Sequence, residues 1–420
     1  MSSKINNLNR LDQLYIFVLI VISGFGISFF RGIEGFLVIA LFNVLVLISH
    51  KLSYSFAFYK AVFIWFLYCV AVGLLFQDFS PFFILRTIVY LSIAYTLASF
   101  DRRSLLKVFV KIVYILSAVS LLFYGVHVLF ESVLYELYNN YGIDTYFERE
   151  YYQYTSIYKS LIFYTYSNLY ALETILPRNY GFCWEPGPFA VFVLIAIYFN
   201  TVLNNFKFRI NKVQLILILT LISTQSTTGL IGFLILYLYI IVFKSDLKAS
   251  KLLAVPVFII FIAFLYFSSE IFYEKVDTQL ESATKLEETL DKSARKNIAY
   301  SAGRFGGFVI AWNDFKNSPI VGIGDSKTHS LGGAGGSKVY IVNGLASILS
   351  MYGIFGLLVF VFYLRKSSSV YSLISTEGKN FKYSFFIIMI ISYFSFSFQV
   401  LPIIFSLTFI SIFTKSKQYD

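Results

Sequence analysis

Long, uninterrupted runs of apolar residues, such as 57–76 and 81–99, constrain this chain more than any other feature. Each run approaches the roughly 20 residues that a helix needs to cross the hydrocarbon core of a bilayer. The runs are continuous rather than alternating, which favours helices over the strands of a barrel. Only 14% of the residues are charged, against about a quarter in soluble proteins. The sequence therefore predicts an all-α, polytopic transmembrane bundle that forms a single integral membrane domain over residues 1–420.

About twelve membrane spans are predicted from these runs. They cover residues 14–30, 34–49, 57–76, 81–99, 105–130, 188–203, 213–225, 228–243, 252–272, 339–364, 383–398 and 400–414.

The distribution of basic residues predicts the topology. The chain has a net charge of +11, and its basic clusters fall on alternate connections, for example at 102–107, 207–212 and 244–251. Lys and Arg accumulate in the cytoplasmic loops of membrane proteins. The positive charge is therefore explained by the orientation of the chain in the membrane rather than by nucleic-acid binding. The N- and C-termini are predicted to be cytoplasmic.

Two long connections, 131–187 and 273–338, then fall on the outer side of the membrane. The second opens with a charged, helix-favouring stretch at 274–296 and contains a short predicted helix at 311–315. The first is rich in aromatic residues, which could pack against sugar rings or form an interfacial aromatic belt, and the sequence leaves both readings open. These aromatic residues include Tyr151, Tyr152, Tyr154, Tyr158, Phe163, Tyr164 and Tyr166.

A first candidate site lies where the first outer loop re-enters the membrane. Pro186 and Pro188 suit a helix start, and a helix N-terminus favours anions. Arg178 lies a few residues before it and offers a planar fork of donors to a phosphate. Glu185 has two interpretations: it complements the helix dipole, or it acts as a general base or orients a sugar hydroxyl.

The second outer loop supplies Arg304 and His329. Arg304 lies at the start of a predicted helix, where the dipole disfavours a cation, so it is interpreted either as a substrate ligand or as a partner in a salt bridge. His329 precedes the tenth span. A neutral imidazole is a natural acceptor for a hydroxyl proton, although an isolated His on a loop is also an ordinary surface residue.

Arg86 lies inside the fourth predicted span, about five residues from its outer end. An intramembrane arginine is costly and indicates a functional site. Arg86 could reach a lipid-linked phosphate or extend its head group to the interface.

Several familiar motifs are absent or discounted. The stretch 332–338 resembles a phosphate-binding loop, but Ser precedes Lys where the order must be Gly-Lys-Ser/Thr. No zinc-ligand cluster or nucleophile elbow is present in the sequence. Neither a metal nor another cofactor is therefore predicted.

Three segments together resemble the O-antigen polymerase and ligase superfamily of bacterial cell envelopes. The first runs from Arg178-Asn179-Tyr180-Gly181-Phe182 to Glu185-Pro186-Gly187. The second is the hairpin Ser223-Thr224-Gln225-Ser226-Thr227-Thr228-Gly229. The third runs from Arg304 through Trp312, Asn317-Ser318-Pro319 and Gly322-x-Gly324 to His329, followed by Gly353-Ile354-Phe355-Gly356-Leu357. Their order and loop positions cover most of residues 80–364.

The resemblance implies a Wzy-type O-antigen polymerase of the bacterial inner membrane, a glycosyltransferase that acts without a metal. Its substrates would be undecaprenyl-pyrophosphate-linked oligosaccharides, joined on the outer face into O-antigen or capsular polysaccharide with anomeric inversion. A chain-length regulator protein is a candidate partner. The cations Arg86, Arg178 and Arg304 would bind phosphate groups, and Glu185 or His329 would accept the hydroxyl proton.

Two alternative functions stay open on the sequence. A lipid-linked oligosaccharide flippase has a similar length and number of spans, although such transporters tend to contain internal repeats and none is clear here. A ligase that transfers the finished glycan to an acceptor belongs to the same superfamily. Ligases often show His-Asn where this chain has His329-Ser330, which keeps Glu185 as the other candidate base.

Overall fold

The fold was analysed in a computed structural model, in which most of the chain is helical. The structure describes residues 8–77, 80–145, 158–167, 176–207, 211–244, 277, 280–326 and 328–414.

The helices follow one another in this order: α1 Arg10–Gly24, α2 Ser28–Arg31, α3 Ile33–Ser49, α4 Phe56–Phe76, α5 Pro81–Ser99, α6 Arg102–Leu129, α7 Glu131–Tyr141, α8 Pro186–Leu203, α9 Lys212–Ser223, α10 Thr227–Lys244, α11 Leu286–Lys296, α12 Gly303–Asn317, α13 Gly344–Ser372, α14 Ser384–Ser395 and α15 Pro402–Phe409. Short 3-10 turns cover Leu331–Gly336, Gly378–Phe381, Phe398–Val400 and Ile410–Ile412.

Six helices of the described ranges are long and apolar enough to cross a membrane, and each coincides with a predicted span. They are α4, α5, α6, α8, α10 and α13. Five other predicted spans coincide with helices of 8–17 residues; an 8-residue helix extends only about 12 Å, against a hydrocarbon core of about 30 Å. The span at 252–272 lies outside the described residues, so the total of twelve stays a prediction.

The two connections predicted to be outer loops contain strands as well as helices, and one further strand lies at 339–340, where the tenth span was predicted to begin. The all-α prediction did not include these strands. Ile143–Asp144, Tyr158–Leu161 and Tyr164–Ser167 form β1, β2 and β3 of an antiparallel sheet. Tyr300–Ser301 (β4) pairs in parallel with Val339–Tyr340 (β5). Alternating Tyr and Thr side chains in β3 suit a pleated surface, and a two-residue turn joins β2 to β3.

The helix predicted at 311–315 is longer in the structure, where α12 covers Gly303–Asn317. Two glycines, Gly306 and Gly307, lie inside the helix. Their missing side chains allow close packing: a Cβ on Gly306 would lie 2.8 Å from the carbonyl oxygen of Ser282.

The chain divides into two compact units. The first comprises residues 1–53, 96–246 and 368–388, and the second comprises residues 54–95, 247–367 and 389–420. In the first unit, α8 is buried along almost its whole length and packs against α6, α9 and α10. Gly232 of α10 lies so close to Leu194 that a Cβ would be 2.5 Å from its Cδ2 atom. Small residues let apolar helices approach in this way.

Candidate functional site

In the second unit, helix α13 is broken at Gly353, whose φ of +61° and ψ of −162° interrupt the helical hydrogen bonds. The segment that follows α12 pairs with the backbone groups released by the break. The amide of Ile354 donates to the carbonyl of Pro319 at 2.9 Å, and the amide of Gly324 donates to the carbonyl of Met351 at 2.9 Å. Unpaired backbone groups are costly in an apolar environment, so the break and the segment stabilise each other.

The glycines of the Gly322-x-Gly324 motif make this pairing possible. Gly322 and Gly324 have φ values of +69° and +65°, a region that disfavours residues with a Cβ. A Cβ on Gly322 would lie 2.4 Å from the backbone carbonyl carbon of Met351. The two glycines therefore let this segment pack closely against the backbone of α13. The packing fixes the position of the residues that follow, Asp325 and Ser326.

Aromatic side chains line the same region of the second unit. The Tyr68 hydroxyl lies 2.9 Å from the carbonyl oxygen of Val321 and 2.7 Å from that of Met351. Trp65 stacks on Tyr68 with ring centroids 5.2 Å apart. A phenol bonded to both backbone segments holds α4 against the broken helix. The remaining ring contacts connect Trp65, Tyr68, Phe83 and Tyr352.

A narrow, partly open cleft lies beside these rings, with a volume of about 330 Å³ including its open part. Asp325, Ser326 and Ser80 contribute polar groups to the lining, and the other lining residues are largely apolar. The lining residues are Cys69, Val72, Ser80, Phe83, Ile84, Asp325 and Ser326.

Arg86 lies next to this cleft. Its guanidinium carbon is 5.6 Å from the centre of the Phe83 ring. The side chain is half-buried, and within the described ranges it forms no hydrogen bond or ion pair. A half-buried cation that lies against an aromatic ring in this way retains its donors for an anion.

His329 lies on the other segment that borders the cleft. Its Nδ1 atom is 2.8 Å from Ser326 Oγ and 3.2 Å from Thr328 Oγ1. Its ring packs edge-to-face with the ring of Phe76, with the two ring centroids 5.1 Å apart. If Nδ1 carries the proton and donates to Ser326, Nε2 keeps its lone pair and can accept a proton. The imidazole is exposed, so this acceptor is accessible.

Asp314 is a residue of this site that the sequence reasoning missed. It is fully buried in α12 and accepts hydrogen bonds from Ser330 Oγ at 2.9 Å, the Leu331 amide at 2.8 Å and Ser350 Oγ at 2.6 Å. It thereby joins α12, the segment that carries His329, and the first part of α13. The signal available in the sequence was an acidic residue on the apolar side of a helix.

Arg304 belongs to the second unit as well, but it does not line the cleft. It is the second residue of α12 and is half-buried. The preceding Gly303 has a φ of +67° and turns the chain into the helix. Arg86 and His329 do not line the cleft either, but each contacts a residue that does, Phe83 and Ser326 respectively. Arg304 lies at the other end of the helix that carries Asp314.

Arg178 lies in the first unit, where it contacts the end of helix α9. Its Nε donates to the carbonyl of Thr224 at 3.3 Å and its Nη2 donates to the carbonyl of Gln225 at 3.5 Å. A cation at a helix C-terminus is favourable, so part of the guanidinium has a structural role. Two of its five N–H groups are used in this way, and the others stay available for a ligand.

Asn179 fastens the same segment to the end of α9. Its Nδ2 donates to Ser223 Oγ at 2.9 Å, and its Oδ1 accepts from the Gly181 amide at 2.9 Å. Its own amide donates to the Ser223 carbonyl at 2.9 Å. Asn179 is fully buried. Two segments that are 44 residues apart, and that were singled out separately in the sequence, therefore form one structure.

Glu185 is the N-cap residue of α8, as its place before two prolines predicted. Its φ of −145° and ψ of 155° are those of an extended cap, and its side chain makes no capping hydrogen bond. The carboxylate is exposed at the start of a buried helix. This position fits both earlier interpretations, a charge that complements the helix dipole and a group that meets a ligand.

Some aromatic residues of the first long connection form a small core. Tyr164 and Tyr166 are fully buried and pack with Leu134 and Tyr138. Burial raises the pKa of Tyr138 well above its ordinary value, so its hydroxyl stays protonated and donates to the Tyr164 carbonyl at 2.7 Å. These buried rings stabilise the connection, a role that was not among the two expected from the sequence. Phe163 is exposed, so both expected roles stay open for it. Tyr151, Tyr152 and Tyr154 lie outside the described residues.

Within the described ranges, no three His, Cys, Asp or Glu residues are grouped as metal ligands. The metal-free mechanism stays a prediction.

Comparisons with known proteins do not extend this picture. No protein-family model matches the chain, and no curated protein matches it either.

Proposed function

We propose that this protein polymerises undecaprenyl-pyrophosphate-linked oligosaccharide repeat units on the outer face of a bacterial inner membrane. The observation that carries the proposal is the cleft in the second unit: Arg86 contacts its lining residue Phe83, and His329 contacts its lining residue Ser326. A cation on an apolar helix and an accessible imidazole are the two groups that this transfer needs. The resemblance of the three sequence segments to the superfamily supports the same reaction.

In the proposed reaction, a hydroxyl oxygen of one lipid-linked unit attacks the anomeric carbon of another. The new glycosidic bond forms as the bond from that carbon to the pyrophosphate oxygen breaks, with inversion. The hydroxyl proton passes to Nε2 of His329 or to Glu185, and the lipid pyrophosphate leaves with the bonding electron pair. Its developing charge is the step that cations stabilise in a site of low dielectric constant.

The proposal gives the arginines phosphate-binding roles. Arg86 would bind the leaving group near the cleft, since it belongs to an apolar helix that is long enough to cross a membrane. Arg178 would use the N–H groups that it does not donate to α9. Arg304 would bind a phosphate from the start of α12. The polar contacts of Asn179 and Asp314 would fix these segments in place.

The proposed topology has twelve spans with both termini in the cytoplasm, as the basic clusters predict. This arrangement places the loops that carry Arg178, Arg304 and His329 on the outer side. A chain-length regulator protein would be a partner there.

The direct test uses the purified protein in vesicles with lipid-linked repeat units supplied on one side. We expect a ladder of glycans longer than one repeat, with one lipid pyrophosphate released for each bond formed. Movement of units across the bilayer without bond formation would indicate the flippase instead. Transfer of glycan only to an added acceptor that lacks the carrier lipid would indicate the ligase.

A further inference from the structure

Helix α7, which follows the membrane-length helix α6, exposes apolar side chains along one side. Val133, Leu137 and Tyr141 are 59%, 37% and 73% exposed. At 3.6 residues per turn these three positions lie within about 80° of one another around the helix. An exposed apolar stripe of this kind marks an interaction surface.

The other residues of α7 form a buried side and a polar side. Leu134 and Tyr138 are buried against the β2–β3 hairpin. Ser132, Glu136 and Asn139 are exposed on the polar side. A helix with one apolar face against its own protein has polar residues elsewhere. In this helix the apolar surface extends beyond the part that the hairpin covers, and the described residues leave the stripe of Val133, Leu137 and Tyr141 exposed.

The position of α7 indicates what covers that face. Helix α6 has 28 residues and is about 42 Å long, which matches the roughly 40–45 Å of a bilayer with its head groups. Helix α7 begins two residues after α6 ends, so it starts at the level of the head groups. On α6, Leu122 and Leu129 are each 72% exposed, and Phe130 continues this surface to α7.

We propose that α7 lies in the membrane interface with Val133, Leu137 and Tyr141 inserted among the lipid chains. The partner is the bilayer itself, and the exposed apolar residues Leu129 and Phe130 directly precede α7 in the chain. A helix that lies in the interface combines a lipid-facing apolar side with a polar side towards water.

The charge of α7 indicates that its insertion does not require anionic lipids. The helix has no Lys or Arg and carries Glu131 and Glu136. Attraction to anionic head groups therefore does not contribute, and insertion depends on apolar burial alone. Helix α7 would hold the β2–β3 hairpin at the membrane surface. This inference does not depend on the proposed polymerase activity.

The test labels the full-length protein at Leu137→Cys, with Asn139→Cys on the opposite side of α7 as the matched control. Both native cysteines are buried, and the unsubstituted protein measures their background labelling. The labelled proteins, carrying an environment-sensitive fluorophore, are placed in phosphatidylcholine vesicles with or without a nitroxide on the acyl chain near the carbonyl group. Val133→Cys is a second position on the same side if Leu137→Cys does not fold.

We expect the nitroxide lipid to quench the label at 137 or 133 severalfold more than the label at 139, with no change when anionic lipid is added. Equal quenching at 137 and 139 would overturn the proposal. So would energy transfer between labels at 137 on two copies without lipid quenching, because a second copy would then cover this face.

Discussion

The Oδ1 atom of Asp314 accepts a 2.8 Å hydrogen bond from the amide of Leu331, two residues beyond His329. A buried carboxylate on one helix therefore sets the backbone position of the segment that carries the candidate base. The same carboxylate binds Ser350 in α13, so one side chain fixes three parts of the second unit.

Replacement of Asp314 by Ala should destabilise the second unit. The substitution removes three hydrogen bonds, each with a net value of about 0.5–1.5 kcal/mol, which gives about 1.5–4.5 kcal/mol in total. We expect a lower thermal inactivation midpoint for the purified variant and faster proteolysis between residues 326 and 340. The control is Asp291→Ala, whose exposed pair with Arg295 should contribute less than about 1 kcal/mol. Equal stability of the two variants would contradict this role.

Replacement of Gly322 by Ala should prevent the segment from packing at the break in α13. The new Cβ would lie 2.4 Å from the Met351 backbone at a φ of +69°, and backbone atoms cannot move aside as a flexible side chain can. We expect little folded protein by size-exclusion chromatography in detergent. Gly125→Ala is the matched control, because a Cβ there meets nothing within 4 Å. Normal yields of Gly322→Ala would show that the packing is not needed.

Replacement of Asn179 by Ala should weaken the attachment of the segment that carries Arg178 to the end of α9. The buried amide bonds to Ser120, Ser223 and Gly181, and Ala leaves the Gly181 amide without its acceptor, at a cost of about 1–3 kcal/mol. We expect a lower inactivation midpoint, whereas Asn139→Ala at an exposed position should leave the midpoint unchanged. A wild-type midpoint for Asn179→Ala would remove the anchoring role.

Replacement of Arg178 by Ala should separate catalysis from folding. The guanidinium donates only two long hydrogen bonds to the end of α9, so we expect membrane levels near those of the wild type. Cells should then lose long-chain polysaccharide and keep single-repeat glycans. Arg295→Ala, which changes an exposed cation, is the control. Long chains at wild-type levels would exclude Arg178 from the mechanism.

Much of the helical architecture could be predicted from the sequence, because apolar runs near 20 residues have few other uses. All six membrane-length helices, for example α6 and α8, fall on predicted spans. The strands β2 and β3 were missed, since the search for apolar runs passes over a short alternating segment in an outer loop. The hydrogen bonds of Asn179 to Ser223 and of Asp314 to Leu331 were also missed. Periodicity defines which face of an element is apolar, but it does not define which distant segment that face meets.

The site residues divide in the same way. Side-chain chemistry alone predicted Arg86 as a site residue, because a cation in an apolar span is unusual. It also predicted His329, because an imidazole can accept a proton near neutral pH. Their place beside one cleft depends on the break at Gly353 and the turn at Gly322, whose φ values no composition argument supplies. The glycines of that motif were visible in the sequence, but their role in close backbone packing could be recognised only from the structure.

The most direct measurement of the central claim is the rate of lipid pyrophosphate release by purified Arg86→Gln protein with lipid-linked repeat units. Loss of one group that stabilises developing negative charge lowers a rate by about 10²–10³, and we predict a decrease of that order. Release by Arg295→Gln should stay at the wild-type rate. Wild-type release by Arg86→Gln would contradict the proposal that this cation binds the departing pyrophosphate.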